Sequence, residues 1–133
     1  MNVVFLDTVG LLALWNAGDQ WHSAAEVAFA TIGQTRAALT TTSFVLLECA
    51  NAAARRPYRQ SVERLRERLE SSQMLVFPTD DDWRQAWTVY RQGDSSQPGV
   101  VDCVSFAVMR RLGITRAFTN DRHFQEAGFE TLF

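Results

Sequence analysis

Lysine is absent from this sequence, and all 13 of its basic residues are arginine. They are outnumbered by 15 acidic residues, which gives a formal net charge of -2 at pH 7. A protein without an overall positive field must bind any nucleic acid through local arginines or through a metal ion. The missing lysine also excludes the phosphate-binding loop in which a glycine-rich turn ends in lysine.

Cysteine and long apolar runs are scarce as well. The two cysteines, Cys49 and Cys103, lie in separate apolar segments, and we expect two buried free thiols rather than a disulfide framework. No run reaches the roughly 18 apolar residues of a membrane span. Segment 1–7 has no positive charge and reaches an acid after a short apolar run, which is unlike a signal peptide. These absences predict a cytoplasmic protein with no membrane partner.

Length and composition indicate one folded unit. The chain has 133 residues, of which 47% are hydrophobic and 21% charged, and these values are ordinary for a globular protein. Because this length supplies one core but is short for two, we expect a single domain over residues 1–133.

Short apolar segments alternate with longer amphipathic ones along the chain. We predict strands at 3–6, 38–41, 74–77 and 117–119, and helices at 11–15, 21–32, 43–55, 61–71, from 79 onward and at 100–112. Gly33 and Gly113 are natural helix stops, and the breaker-rich segment 92–99 suits an active-site loop. The tail, 124–133, is expected to add a helical turn and an edge strand. This alternation predicts an α/β protein with a parallel sheet and helices on both faces.

Four acidic residues end or interrupt apolar elements. Asp7 follows the first strand, and Asp121 follows the fourth by way of Thr119 and an asparagine. Acids in these positions deserve weight, because sites in parallel sheets lie beyond the carboxyl ends of the strands. Asp102 begins the helix after the loop, and Glu48 lies inside an apolar helix. The plain alternative is that each is an N-cap, a helix-face acid or half of a salt bridge.

Clustered carboxylates repel one another unless a cation lies between them. A cluster of oxygen donors suits Mg²⁺ or Mn²⁺, and zinc is not expected, because His22 and His123 lack ligand spacing with any cysteine. Both histidines are therefore expected to be surface or hydrogen-bonding residues.

The chain resembles the PIN domain, and within it the VapC-like toxin nucleases. The resemblance rests on four segments in order: Val3-Val4-Phe5-Leu6-Asp7-Thr8, Thr42-Ser43-Phe44-Val45-Leu46-Leu47-Glu48, Val101-Asp102-Cys103-Val104-Ser105-Phe106, and Phe118-Thr119-Asn120-Asp121-Arg122-His123-Phe124. It implies a three-layer α/β/α sandwich around a mostly parallel sheet, and a Mg²⁺- or Mn²⁺-dependent endoribonuclease. It further implies a homodimer and inhibition by a small VapB-like antitoxin.

The resemblance also assigns site residues. Asp7, Glu48, Asp102 and Asp121 fall on the family's acidic quartet, which is expected to hold the metal and carry out catalysis, and Thr119 falls on the Ser/Thr position near the metal.

Two arginines are candidates for binding the substrate phosphate. On an ideal helix Arg55 is nearly eclipsed with Glu48, seven residues earlier, and Arg122 directly follows Asp121. Plain solvent exposure is the alternative for both arginines.

Other α/β families fit less well. A receiver domain needs a lysine beside its phosphoryl-accepting aspartate, and a haloacid-dehalogenase-like phosphatase needs a lysine and a second aspartate where Val9 stands. The alternative that stays open is a non-catalytic PIN-like module that binds RNA or a protein.

Six aromatic residues are expected to lie mostly in the core, with some of them facing a dimer mate or an antitoxin. They are Trp15, Trp21, Phe29, Phe44, Trp83 and Trp87.

Overall fold

The computed structural model describes residues 2–133, which form five strands and seven helices. The strands are β1 (Val3–Leu6), β2 (Ala38–Thr42), β3 (Leu75–Val76), β4 (Arg116–Phe118) and β5 (Glu130–Thr131). The helices are α1 (Thr8–Trp15), α2 (His22–Gln34), α3 (Ser43–Ala53), α4 (Arg59–Ser71), α5 (Asp80–Gln92), α6 (Val100–Leu112) and α7 (Arg122–Glu126).

The strands form one parallel sheet in the order β3-β2-β1-β4-β5. β1 lies at its centre, where Phe5 pairs with Thr40 of β2 and Ala117 of β4. Val4, Phe5 and Leu6 are fully buried, as expected for a strand covered on both faces. The helices flank this sheet, so the α/β/α sandwich expected from the sequence is confirmed.

Helices α3, α5 and α6 begin where the sequence predicts, whereas α1 begins at Thr8 and α4 at Arg59, before the predicted residues 11 and 61. The hydroxyl of Thr42 accepts a hydrogen bond from the Val45 amide at the start of α3. At the start of α5, Thr79 and Asp82 form a reciprocal capping box. Gly113 ends α6 in the left-handed conformation that glycine adopts readily, as predicted.

Two predicted helix ends are wrong. α2 continues through Gly33 to Gln34, and the left-handed turn falls on Arg36 instead, at φ 56°. α3 ends at Ala53, two residues before the predicted Arg55. In both places residue type favours a stop, but the last hydrogen bonds and the packing of the helix determine where it ends.

Tryptophan is less buried than the sequence suggested. Trp21, Trp83 and Trp87 are exposed, and Trp15, Phe29 and Phe44 are only partly buried. The expectation that most of the six aromatics lie in the core is therefore wrong.

Within residues 2–133, no helix is both long enough and apolar enough to cross a membrane. Cys49 and Cys103 are free and buried, as predicted.

Candidate active site

Asp7 is the fully buried member of the acidic cluster and lies within electrostatic reach of Asp102 and Asp121. It directly follows β1, and only 2% of its surface is exposed. Leu6 pairs with Phe118 of the parallel neighbour β4, so the residues after these two strands meet at the same edge of the sheet. There the hydroxyl of Thr119 donates a hydrogen bond of 2.8 Å to Asp7 Oδ2.

Thr119 joins two of the predicted acids. The oxygen that donates to Asp7 also accepts a hydrogen bond of 3.1 Å from the backbone N–H of Asp121. Asp121 is the N-cap of α7, and its Oδ1 accepts from the backbone N–H of His123 at 2.9 Å. One buried hydroxyl therefore fixes the spacing of the two carboxylates.

Asp102 joins this group from another element. It lies in the first turn of α6, half-buried, after the loop at 93–99. Ligand atoms of Asp102, Asp121 and His123 all lie within 4.8 Å of one another. The structure thus brings Asp102, Asp121 and His123 together near Asp7, which precedes them in the sequence by 95 to 116 positions.

Glu48 borders the cluster but is exposed. Thr8, the first residue of α1, donates a hydrogen bond of 2.7 Å from its hydroxyl to Glu48 Oε1. Although Glu48 lies inside an apolar helix, its side chain is not buried, because Val45, Leu46 and Cys49 point to other faces of α3. Its carboxylate is held at the rim of the site, within electrostatic reach of Asp102.

Burial and mutual repulsion raise the pKa values of two of the clustered carboxyl groups. Burial, followed by repulsion from Asp102, raises the pKa of Asp7 to about 7, although the Thr119 hydrogen bond opposes the shift. Burial, with repulsion from Asp121 and Glu48, raises the pKa of Asp102 to about 6. Carboxyls that hold protons this strongly form a site that a cation would relieve.

The donor atoms fit Mg²⁺ or Mn²⁺. Asp7, Asp102, Asp121 and Glu48 offer carboxylate oxygens, which hard divalent ions prefer. Burial raises the pKa of the nearby Cys49 thiol to about 12, so it stays protonated and is a poor metal ligand.

Sequence reasoning undervalued His123. Its Nδ1 lies 3.1 Å from Asp121 Oδ1, and its Nε2 donates a hydrogen bond of 3.0 Å to the carbonyl of Ser96. The hydrogen bond to Ser96, together with the charges of Asp121, Glu126 and Asp102, raises its pKa, against partial burial. The expectation of a hydrogen-bonding histidine holds, and its position two residues after Asp121 was the signal for a place in the site.

Gly10 was missed entirely. A Cβ built at this position in α1 would lie 2.1 Å from the carbonyl oxygen of Phe118, the residue before Thr119. Only glycine allows α1 to approach the end of β4 so closely, next to Thr119.

The two arginine candidates lie at the margins. Arg55 follows the end of α3 and is exposed, so the eclipsed geometry assumed for it does not apply. Arg122 begins α7, is exposed, and lies 4.0 Å from Glu126. A role for either in binding phosphate stays a prediction.

Comparison with known proteins gives consistent matches over nearly the whole chain. The family profile described as "PIN domain" matches residues 4–130. The "23S rRNA-specific endonuclease VapC20" of Mycobacterium tuberculosis, from the strains CDC 1551 / Oshkosh and H37Rv, is 34% identical over 128 residues, which span 96% of this chain and 95% of the relative. The crystal structure of M. tuberculosis VapC20, described as a "Sarcin-Ricin loop cleaving toxin", superposes with a TM-score of 0.78 at 31% identity and covers 95% of both chains.

Proposed function

The chain belongs to the PIN-domain family, and we propose that it is a divalent-metal-dependent endoribonuclease that acts as the toxin of a toxin-antitoxin pair. The observation that carries the proposal is the acidic cluster. Carboxylates that follow β1, begin α6 and lie in the β4–α7 turn come close enough to repel one another, and burial together with this repulsion raises the pKa values of Asp7 and Asp102. Carboxylates grouped in this way repel one another unless a cation is bound between them. A nuclease would keep them because the bound cation supplies its catalysis.

Asp7, Asp102 and Asp121 would hold the metal, with Glu48 assisting from the rim. A bound Mg²⁺ or Mn²⁺ lowers the pKa of water and offsets negative charge on a phosphodiester. Glu48 is held by Thr8 in a position to orient the attacking water or to accept its proton. Thr119 fixes Asp7 relative to Asp121, so its role is positional.

The substrate that we propose is ribosomal RNA. The names of the M. tuberculosis relatives specify 23S rRNA and its sarcin–ricin loop, and the similarity extends over almost all of both chains. Since ribosomal RNA is cytoplasmic in bacteria, a cytoplasmic location belongs to the same proposal.

Cleavage of a labelled sarcin–ricin-loop hairpin tests this function. We expect cutting in Mg²⁺ or Mn²⁺, none in EDTA, and none with Asp7→Asn. Glu67→Gln serves as the matched control, because it removes an exposed acid of α4 outside the cluster. Cleavage that survives EDTA, or that needs only Zn²⁺, contradicts the proposal. Protein that binds RNA without cutting it, and that does not bind Mn²⁺, is instead a non-catalytic binding module.

Two protein partners complete the proposal: a second copy of this chain and a small VapB-like antitoxin. The exposed aromatic residues of α5 support the first. For the second, a basic side chain of the antitoxin would be attracted to the acidic pocket. Co-expression with the product of any small neighbouring gene tests it, and we expect restored growth and a stable complex. A chain that is harmless to cells when expressed alone is not a toxin.

A further inference from the structure

A second pocket lies beside the acidic cluster, between α5 and the loop at 93–99. Its volume is about 310 Å³, at the lower end of the range for small-ligand sites. Tyr90 of α5 forms one wall, and the loop residues Asp94, Ser95 and Gln97 contribute to the others. No arginine lines it among residues 2–133. The lining therefore suits a flat, neutral group better than a phosphate.

The chemistry of the walls matches that of a nucleobase. Tyr90 is 47% exposed, and its ring makes an edge-to-face contact with Trp87, with ring centroids 5.4 Å apart. An exposed ring of this kind offers a stacking surface. Gln97 can both donate and accept hydrogen bonds, and Asp94 accepts them, so the pocket can pair with the edge of a base that carries an amino group.

The loop has a defined shape. Asp94 Oδ1 accepts hydrogen bonds from the backbone N–H of Ser96 at 2.9 Å and from its hydroxyl at 2.6 Å. This turn directs the Ser96 carbonyl toward His123. Asp94 keeps its other carboxylate oxygen free of protein hydrogen bonds within the described chain.

His123 links this pocket to the acidic cluster. One ring nitrogen binds the Ser96 carbonyl, and the other lies against Asp121 Oδ1. The pocket is thus one imidazole ring away from a proposed metal ligand. A nucleotide whose phosphate lay on the carboxylates would therefore have the loop at 93–99, which forms the pocket together with Tyr90, next to it on the other side of His123.

We propose that the Tyr90 pocket binds one unstacked nucleobase of the RNA next to the scissile phosphate, and that His123 is the positioning residue that holds the pocket in place. The inference rests on the proposed nuclease function and adds a recognition site to it. It explains how a chain with no overall positive field selects a bond in RNA, since looped RNA is recognised by stacking and base edges.

Kinetics on the sarcin–ricin-loop hairpin test the role of Tyr90. Tyr90→Ala is expected to raise KM about tenfold with kcat within twofold, because stacking on one aromatic contributes at about this level. Tyr90→Phe keeps the ring and should restore KM. Val89→Ala is the matched control, since Val89 is a neighbour on α5 with the same 47% exposure and lies outside the pocket lining. An unchanged KM for Tyr90→Ala overturns the proposal. A rise in KM that is explained by a change in the oligomeric state of the variant also overturns it.

Binding to abasic hairpins separates this proposal from the nuclease function. The uncut complex is formed with Asp7→Asn protein, and single abasic nucleotides are placed on either side of the cleaved bond. An abasic nucleotide at one of these positions should weaken binding about tenfold. When Tyr90→Ala is combined with that abasic hairpin, binding should weaken no further, because the stacking contact is already lost. If the protein cleaves no RNA but the abasic hairpins still give this binding pattern, only the proposed nuclease function is refuted. Additive losses at every abasic position refute the pocket.

Hydrogen exchange tests the role of His123. His123→Ala should raise exchange at 94–97 and raise KM, whereas His123→Gln keeps an N–H donor and should restore part of both. His22→Ala is the control, because His22 also lies between a carbonyl, Ala13 O, and a carboxylate, Glu26, but in a different part of the fold. Unchanged exchange at 94–97 in His123→Ala refutes the positioning role.

Discussion

At the scale of single residues, the charge of Asp7 is expected to be needed for cleavage but to lower the stability of the metal-free protein. Asp7→Asn is expected to abolish cleavage, because it removes a charge that would hold the metal. The same change should stabilise the metal-free protein at pH 8, because the pKa of Asp7 is raised from 3.8 to about 7 in the folded state. The folded protein binds its proton more tightly than the unfolded chain does, so this carboxyl lowers stability as the pH rises from about 4 to 7.

Thermal unfolding in EDTA at pH 5 and pH 8 measures this effect. Wild type should lose more stability than Asp7→Asn between the two pH values, by several degrees in Tm for a shift of this size. Asp102→Asn should behave in the same way but less strongly, since its pKa is raised less. A lower Tm than wild type for both variants at pH 8 would identify these acids as structural residues instead.

Gly10 provides the second test at this scale. Gly10→Ala places a methyl group against the Phe118 carbonyl, so we expect a loss of about 3 kcal/mol in stability and a strong loss of cleavage as Thr119 shifts. Gly33→Ala is the matched control: nothing lies within 4 Å of its new Cβ, and it is expected to stabilise α2 by up to about 1 kcal/mol. Urea unfolding of the Gly10→Ala and Gly33→Ala variants measures the two free energies of unfolding, and equal values would contradict this prediction.

At the scale of elements, an ion pair between Asp82 and Arg111 joins α5 to α6, the helix that carries Asp102. Arg111 donates two hydrogen bonds to the buried carboxylate of Asp82, at 3.1 and 2.8 Å, and Asp82 also completes the capping box of α5. Asp82→Asn should cost about 3 kcal/mol, because it leaves a cation and a cap without their partner. Asp81→Asn, in the same turn but exposed, should cost far less.

The pH dependence of this ion pair has the opposite sign to that of Asp7. Burial alone would raise the pKa of Asp82, but the hydrogen bonds from Arg111 and Thr79 outweigh burial and lower it below 3.8. Its stabilisation is therefore complete above that pH and is lost as the pH falls through the lowered value. Acid unfolding of Asp82→Asn measures this, and an acid midpoint identical to that of wild type would show that the pair contributes nothing.

Local signals predicted where helices begin when a side chain caps the first turn, but they did not predict the starts of α1 and α4, which lack a side-chain cap, or every helix end. The cap residues Thr42 and Thr79 satisfy the first backbone N–H groups with their own side chains, so sequence alone reveals them. At helix ends, the continuation of α2 through Gly33 and the left-handed Arg36 depend on the contacts of the whole helix. The placement of Asp7 and Asp121 at one edge of the sheet followed from the strand pattern, because parallel strands present their carboxyl ends at one edge. The order of the strands did not follow from it, since the pattern does not say which strands pair. The bond from His123 to Ser96 did not follow either, since nothing in the sequence joins residues 27 positions apart.

At the scale of the whole molecule, an exposed aromatic strip is left without a partner. It runs from Phe44 of α3 to Trp83 and Trp87 of α5, with successive ring centroids 6.2 and 5.7 Å apart. Trp83 and Trp87 remain 49% and 39% exposed, and Leu47 and Phe77 are exposed as well. Large exposed apolar groups of this kind mark interaction surfaces. The strip adjoins the α3 segment that carries Glu48, so a partner bound there would also border the active site.

The charges along α5 favour a second copy of this chain as that partner. The helix begins with the exposed acids Asp80 and Asp81 and ends with the exposed Arg91. Two α5 helices that pack antiparallel about a two-fold axis would bury the tryptophans at the centre and set the acidic end of each against the basic end of the other. At the start of α5 a nucleic acid would instead meet the exposed carboxylates of Asp80 and Asp81, which its phosphates would avoid.

Sedimentation of charge variants tests this dimer. Trp87→Glu should yield a monomer, because it places a carboxylate at the centre of an apolar contact. Trp21→Glu, at a tryptophan next to α2 that is 48% exposed, should leave the dimer intact. Arg91→Asp alone should weaken the dimer by opposing like charges, and Asp80→Arg combined with it should restore the dimer by reversing both ends. Restoration by the double change cannot arise from a loss of folding, so it specifically supports antiparallel α5 helices. A dimer that resists Trp87→Glu, or one that the double change weakens further, would place the interface on another face of the molecule.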